Sequence, residues 1–243
     1  LNEKFQNRDF IFISAESLER TFYTNEKLQN LNLKLLKRND VLDFSSVEEI
    51  NGYTDWTIAG LVAVNCGLPI VDNGFYQGYN CFSDLLSKLN YSQKLIQGTS
   101  PEYDGQGNFF KTHGVNEIIG KKKISKKTLD KNLSYNHWGL YDHHVFNFAI
   151  RELAELENNK KNYAIWISTI DNHAPNGFLS NYCQNLTNEI KKKILKTAFC
   201  TDLLISKFIN NAIKNDLDKN NLIVIYSDHL LMASDLSKKY FKD

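Results

Sequence analysis

The sequence is poor in proline, with three in 243 residues, and it has no Pro- or Ser-rich stretch and no internal repeat. Nothing marks a linker or an internal boundary, so one domain over residues 1–243 is the expectation. An excess of one charge is also missing: 29 Lys and Arg face 28 Asp and Glu, a net charge of +1. That removes the broad positive field of a duplex-DNA binder, and nucleic acid is not an expected partner. The longest nearly apolar stretch, residues 58–71, is broken by Asn65 and falls short of the roughly 20 residues that cross a bilayer. No initiator methionine or signal peptide precedes the first hydrophobic run, which suits a domain cut from a longer chain. No CxxC motif is present; the four cysteines instead form two local pairs by spacing, Cys66 with Cys81 and Cys183 with Cys200. This pattern reads either as two disulfides in an oxidising compartment or as four buried thiols.

What the chain does have is enough apolar material for a core, 42% of residues against 23% charged. Three near-continuous apolar runs, Phe10 to Ser14, Ala164 to Ile170 and Leu222 to Tyr226, read as strands buried on both faces of a parallel sheet. Helical patterning covers Thr57 to Cys66, Phe82 to Leu89, Tyr141 to Leu156 and Asn188 to Ile213, the last expected to start at a cap on Thr187. Strands alternating with helices define an α/β fold, a central, mostly parallel sheet sandwiched by helices. The lysine run from Lys121 to Lys131 reads as a solvated face, with contact to anionic lipid head groups as the alternative.

The strand ends carry the chemistry. The first strand runs into Ala15-Glu16, the second into Asp171-Asn172-His173 and the third into Ser227-Asp228-His229. Open α/β sheets bind ligands at the carboxyl ends of their strands, and carboxylates with imidazole make a ligand set for Zn²⁺ or Mn²⁺. A hydroxyl for such a metal to activate lies in Gly52-Tyr53-Thr54-Asp55-Trp56-Thr57, just before the apolar helix. Its helix N-terminus favours a bound phosphate. Either threonine suits attack on phosphorus, and Thr57 also reads as a plain N-cap.

The segments AESLERT, TDWTIAGLVAVNCGLP, FFKTHGV, WGLYD, STIDNHAPNGF and YSDHLLM follow one another in that order. Together they resemble the catalytic domain of the phosphoglycerol transferase I family, in the sulfatase-like branch of the alkaline phosphatase superfamily. Lipoteichoic acid synthase and the phosphoethanolamine transferases are relatives. The resemblance implies a sulfatase-like α/β sandwich on the periplasmic or extracytoplasmic side of a bacterial inner membrane, tethered by membrane segments outside this chain. It implies a divalent metal, Mn²⁺ foremost with Zn²⁺ or Mg²⁺ as alternatives, held by Glu16, Thr54, Asp228 and His229. Thr54 is the implied nucleophile because it follows Gly52-Tyr53 and precedes Gly67-Leu68-Pro69 as in the related transferases; Thr57 is the fallback. His173 is implied as the residue that holds the phosphate or protonates the leaving alkoxide. Asp104, Gln106, Trp138 and Asp142 are implied walls of a head-group pocket, and His113 either faces the phosphate or caps a helix end. The implied compartment favours the disulfides Cys66-Cys81 and Cys183-Cys200.

The activity so implied is transfer of phosphoglycerol from phosphatidylglycerol, or a similar phospholipid donor, to a glycan acceptor through a covalent threonine intermediate. The alternatives are phosphoethanolamine transfer, or hydrolysis of a similar substrate by a phosphodiesterase or phosphatase. A sulfatase activity is disfavoured, since no Cys or Ser stands in a C/S-x-P-x-R setting.

Overall fold

The computed structural model describes residues 8–47, 52–70, 79–128, 132–159, 161–214 and 221–232. Its sheet has five parallel strands, β1 (Asp9–Ala15), β2 (Ser92–Gln97), β3 (Glu117–Ile119), β4 (Tyr163–Ser168) and β5 (Asn221–Ser227), in the order β3-β2-β4-β1-β5. The helices are α1 (Thr21–Thr24), α2 (Thr57–Cys66), α3 (Phe82–Lys88), α4 (Gln106–Thr112), α5 (Lys121–Lys127), α6 (Asp142–Asn158), α7 (Asn181–Gln184) and α8 (Lys193–Lys214). None of the described helices is long and apolar enough to cross a membrane.

The alternation of side chains along β1 and β4 sorts the core into two layers. Ile11, Ile13, Ile165 and Ile167 pack with α6 and α8 on one face. Phe10, Phe12, Ala164 and Trp166 pack with α2, α3 and α4 on the other. Phe12 stacks on Trp166 with ring centroids 4.0 Å apart. The result is the expected α/β sandwich, and the three apolar runs are its three adjacent central and edge strands, β4, β1 and β5.

Two strands and one helix start depart from the sequence reading. β2 and β3 escape the apolar pattern because β2 carries Lys94 at a position that is largely buried. Its charge is met there by Glu152 at 2.5 Å and Glu117 at 3.5 Å. A polar strand is tolerated where its charge is paired. α8 begins at Lys193 rather than behind Thr187, whose hydroxyl donates backwards to Cys183 O and Gln184 O at 3.1 Å each and so closes the preceding turn. The lysine run folds as α5 as far as Lys127, with Lys123 and Lys127 paired to Glu117 and Glu152; residues 129–131 lie outside the described residues.

Candidate active site

β1 and β5 are neighbours in register, with Ala15 opposite Ser227, so the residues that follow each strand emerge side by side. Glu16, Asp228 and His229 meet there, all at most 4% exposed, with one donor atom from each within 4.8 Å of the others. Local backbone geometry fixes the carboxylates. The Ser17 and His229 N–H groups both donate to Asp228 Oδ1 at 2.9 Å, and Ser17 Oγ donates to Glu16 Oε1 at 2.9 Å. Ser17 adopts φ 47°, a left-handed turn that aims its amide across to β5. Glu16 N–H donates to Thr169 Oγ1 at 2.8 Å, which in turn donates to Ser14 O.

The electrostatics of this cluster are set by its burial and by the close approach of its charges. Burial, and then the Glu16 charge, push the Asp228 carboxyl up to about 8. Burial works to lower the His229 imidazole, but the Glu16 and Asp228 carboxylates outweigh it and push it up to about 10. Asp228 Oδ2 has no hydrogen-bond partner among the described residues, and His229 Nε2 lies 3.2 Å from Glu16 Oε1 without hydrogen-bond geometry. Carboxylate oxygens and an imidazole that converge while buried, with Asp228 Oδ2 and His229 Nε2 unpartnered among the described residues, fit a divalent ion of the Mn²⁺, Zn²⁺ or Mg²⁺ kind.

The N-terminus of α2 faces this cluster. Thr57 Oγ1 lies 3.4 Å from Glu16 Oε2, and Thr57 is 4% exposed. Thr54 lies three residues earlier, half-buried in the turn that leads into α2. The fallback threonine, Thr57, is thus hydrogen-bonded to a cluster residue. Gly60 sets the approach of the helix: a Cβ there would stand 1.7 Å from Asp228 O, so only glycine lets α2 lie this close to β5.

Around the cluster, Asp104 accepts the Ile58 N–H at 2.8 Å and so caps the first turn of α2. Its carboxyl is raised by burial, lowered by that amide, and perturbed by Glu16, His229 and His173, which places all of them within electrostatic reach of one another. Trp138 packs its ring on His173 at 5.0 Å and on Tyr103 at 5.3 Å. His173 donates Nδ1–H to Ala174 O at 2.8 Å, because a carbonyl can only accept, and Nε2 is then the nitrogen left to exchange a proton. Asp104, Trp138, Tyr103 and His173 thus form one wall.

Asp142 and Gln106, expected as pocket walls, and His113, expected to face the phosphate or cap a helix end, are all buried. Asp142, fully buried, accepts the Ile170 and Asp171 amides with its two oxygens, at 2.9 and 3.0 Å, and so caps the end of β4. Gln106 is 1% exposed at the start of α4. His113 is buried at the end of α4, with Nδ1 2.7 Å from Asp84 Oδ2 and Nε2 4.0 Å from Cys81 Sγ. Both cysteine pairs are disulfides. Asp171, one of the strand-end carboxylates, pairs with Asp142 rather than joining Glu16.

Sequence reasoning overlooked Asn172, whose Nδ2 donates to Glu16 O and Ser17 O at 3.2 and 3.3 Å while its Oδ1 accepts from Thr197 Oγ1 at 2.8 Å. Its side chain ties the Glu16 turn to α8. The signal was its place between Asp171 and His173 at a strand end.

The sulfatase family model matches residues 8–243. The chain belongs to the sulfatase family. It is 31% identical to a phosphoglycerol transferase I of Escherichia coli over 238 residues, and 32% identical to one of Citrobacter koseri over 239. Each match covers 92% of this chain and 31% of the relative, so the chain spans about a third of the length of these proteins. Among solved structures, the lipoteichoic acid synthase LtaP of Listeria monocytogenes superposes with a TM-score of 0.74 at 14% identity, over 98% of this chain and 62% of that one. The Streptococcus pyogenes phosphoglycerol transferase GacH, solved with sn-glycerol-1-phosphate, gives 0.58 at 14% identity over 96% and 64%. Members of the alkaline phosphatase superfamily thus share this sheet and its helical layers, as expected from sequence.

Proposed function

We propose that this sulfatase-family domain transfers phosphoglycerol from phosphatidylglycerol, or a similar phospholipid, to a glycan hydroxyl by way of a phosphoglyceryl-threonine. The observation that carries the reading is the convergence of Glu16, Asp228 and His229, with an unpartnered Asp228 oxygen, on the N-terminus of α2. The likeness to phosphoglycerol transferase I supplies the head group.

Glu16, Asp228 and His229 would hold a divalent ion, with Mn²⁺ the proposed metal; when bound it supplies a lowered threonine pKa and neutralises charge on the phosphoryl oxygens. Thr54, by its spacing from Gly67-Leu68-Pro69, is the proposed nucleophile and the fourth ligand. Its oxygen attacks phosphorus as the hydroxyl proton passes to His173 Nε2, the bond to the diacylglycerol oxygen breaks, and Nε2 returns that proton to the alkoxide. A glycan hydroxyl then attacks the phosphoglyceryl-threonine and regenerates the hydroxyl. The contact between Thr57 Oγ1 and Glu16 favours a second reading in which Thr57 takes this role.

The wall of Tyr103, Trp138 and Asp104 borders the head-group space. An aromatic pair beside a carboxylate also suits an ammonium, which favours phosphoethanolamine as the second head group. Two disulfides fit an oxidising, periplasmic or extracytoplasmic compartment. The test is product analysis with Mn²⁺ and either phosphatidylglycerol or phosphatidylethanolamine vesicles, with and without a glucan acceptor. Diacylglycerol released only from phosphatidylglycerol, with glycerol phosphate on the glucan, supports the reading. Release only from phosphatidylethanolamine moves the head group to ethanolamine, and free glycerol phosphate without glucan product makes the domain a hydrolase.

A further inference from the structure

Helix α5 has seven residues, five of them lysines and none acidic, and the proposed chemistry leaves it unused. It starts directly after β3, and the strands of the sheet are all parallel. Its first turn therefore stands at the carboxyl edge of the sheet, the edge that carries Glu16, Asp228 and His229. Helical spacing sorts its side chains into faces. Ile124 is buried in the core. Lys123 and Lys127 turn to Glu117 and Glu152. Lys121 and Ser125 turn to the loop before α6, where Lys121 Nζ donates to Trp138 O at 3.3 Å and Ser125 Oγ pairs with the Tyr135 hydroxyl at 2.8 Å. The remaining stripe, Lys122 and Lys126, is exposed. Neither lysine forms an ion pair among the described residues, and Lys122 acts on the exposed Glu102 carboxylate at longer range.

Two observations say what covers this stripe. The first is its continuity with the candidate active site: Trp138, whose carbonyl holds Lys121, packs its ring on His173 and on Tyr103. The second is the company the lysines keep. Tyr135 is 49% exposed beside Ser125, and His137 is exposed next to Trp138. An exposed tyrosine ring among ammonium groups on long apolar stems suits the boundary between water and lipid head groups. Nearby carboxylates leave the stripe its charge. Glu152 is spent on Lys94 and Lys127 beneath the helix, while Arg151 and Glu155 add one charge of each sign at its C-terminal end.

We propose that the Lys122 and Lys126 stripe of α5, with Tyr135 beside it, docks the domain on an anionic bilayer and turns the active-site mouth toward the lipid. The orientation rests on the phospholipid donor proposed above; the affinity of the stripe for anionic lipid does not. Attraction to an anionic leaflet is worth about fivefold in partitioning for each lysine at its surface, and it fades within a Debye length.

Co-sedimentation of the whole chain with vesicles tests the docking. Phosphatidylserine in phosphatidylcholine supplies an anionic surface from a lipid outside the proposed reaction, so binding is read apart from turnover. The expected result is binding to these vesicles and not to pure phosphatidylcholine, weakening as salt is raised. Lys122→Gln/Lys126→Gln should lower partitioning about 30-fold with native far-ultraviolet dichroism. Arg8→Gln/Lys161→Gln removes the same charge from exposed positions at the opposite edge, where β1 and β4 begin, and should change it less than about twofold. The α5 variant should also be slowed on phosphatidylglycerol in anionic vesicles and not on a short-chain phosphatidylglycerol dissolved as monomers. Equal losses in the two paired variants, or a parent that ignores anionic vesicles, overturn the proposal. So does retention of the parent on a soluble polyanion without binding to vesicles, which assigns the stripe to an acidic polymer. Docking through α5 without release of diacylglycerol supports the docking face and overturns the phospholipid reading.

Discussion

Gly60 of α2 rests against the backbone carbonyl of Asp228, so closely that a Cβ at Gly60 would stand 1.7 Å from that oxygen. The helix that opens at Thr57 and the turn after β5 that carries two of the three cluster residues are therefore in direct backbone contact. Gly60→Ala has no side-chain end that can yield, and α2 must move. A loss of about 3 kcal/mol of stability is expected from such overpacking. Transfer activity should fall by more than the folded fraction does. Chemical denaturation beside the initial rate of the folded population checks this; a variant with full specific activity contradicts it.

Asp228→Asn should act in opposite directions with and without metal. Asparagine Oδ1 can keep both amide hydrogen bonds now made by Asp228 Oδ1, while the unpartnered, buried acid oxygen next to Glu16 disappears. In a chelator the variant is expected to be about 1 to 2 kcal/mol more stable than the parent, as when a strained functional group is removed. With Mn²⁺ the order should reverse, because binding to the native state stabilises only the protein that binds. Thermal melts in chelator and in Mn²⁺ decide it.

Asp142 and Asp171 cap each other: each backbone N–H donates to the other's carboxylate at 3.0 Å. Burial raises both carboxyls, Asp142 to about 7. Because the folded chain holds this proton more tightly than the unfolded one, whose aspartates titrate near 3.9, the pair's contribution is full below about pH 4 and declines as pH rises through about 7. Asp142→Asn should lower absolute stability, since one amide loses its acceptor, and should flatten the slope between those values. Urea unfolding at several pH values measures both.

The sequence made the centre of this molecule legible and its flanks less so. Strands β1, β4 and β5 carry apolar runs because both faces are buried, and Glu16, Asp228 and His229 sit at their ends where an α/β sheet places its ligands. β2 stayed hidden because Lys94 is neutralised by glutamates from β3 and α6, a pairing that exists only in three dimensions. Asp142 was implied as a pocket wall by the resemblance alone, and its bonds to the Ile170 and Asp171 amides exist only in three dimensions. His113 and the Cys66–Cys81 disulfide belong to one cluster that no local spacing reveals.

Removing the other disulfide isolates a plain structural contribution. Cys183 and Cys200 close a short loop between α7 and α8, with a separation of 17 residues. The chain-entropy model gives about 3 kcal/mol for a loop of this size. Cys183→Ala/Cys200→Ala should lose about that much stability while the Mn²⁺ affinity of the folded protein is unchanged, as isothermal titration with the metal would show.

The central claim, that a threonine at the start of α2 becomes the phosphoryl carrier beside Glu16, Asp228 and His229, is tested most directly by mass spectrometry. The protein is incubated with phosphatidylglycerol and Mn²⁺, and the adduct is mapped in the parent, Thr54→Ala, Thr57→Ala and Glu16→Gln. A glycerol phosphate on Thr54, absent from Thr54→Ala and from Glu16→Gln, is the predicted result. The adduct on Thr57 would transfer the role to the residue that contacts Glu16. No adduct on either threonine, while diacylglycerol is still released, would contradict the covalent mechanism.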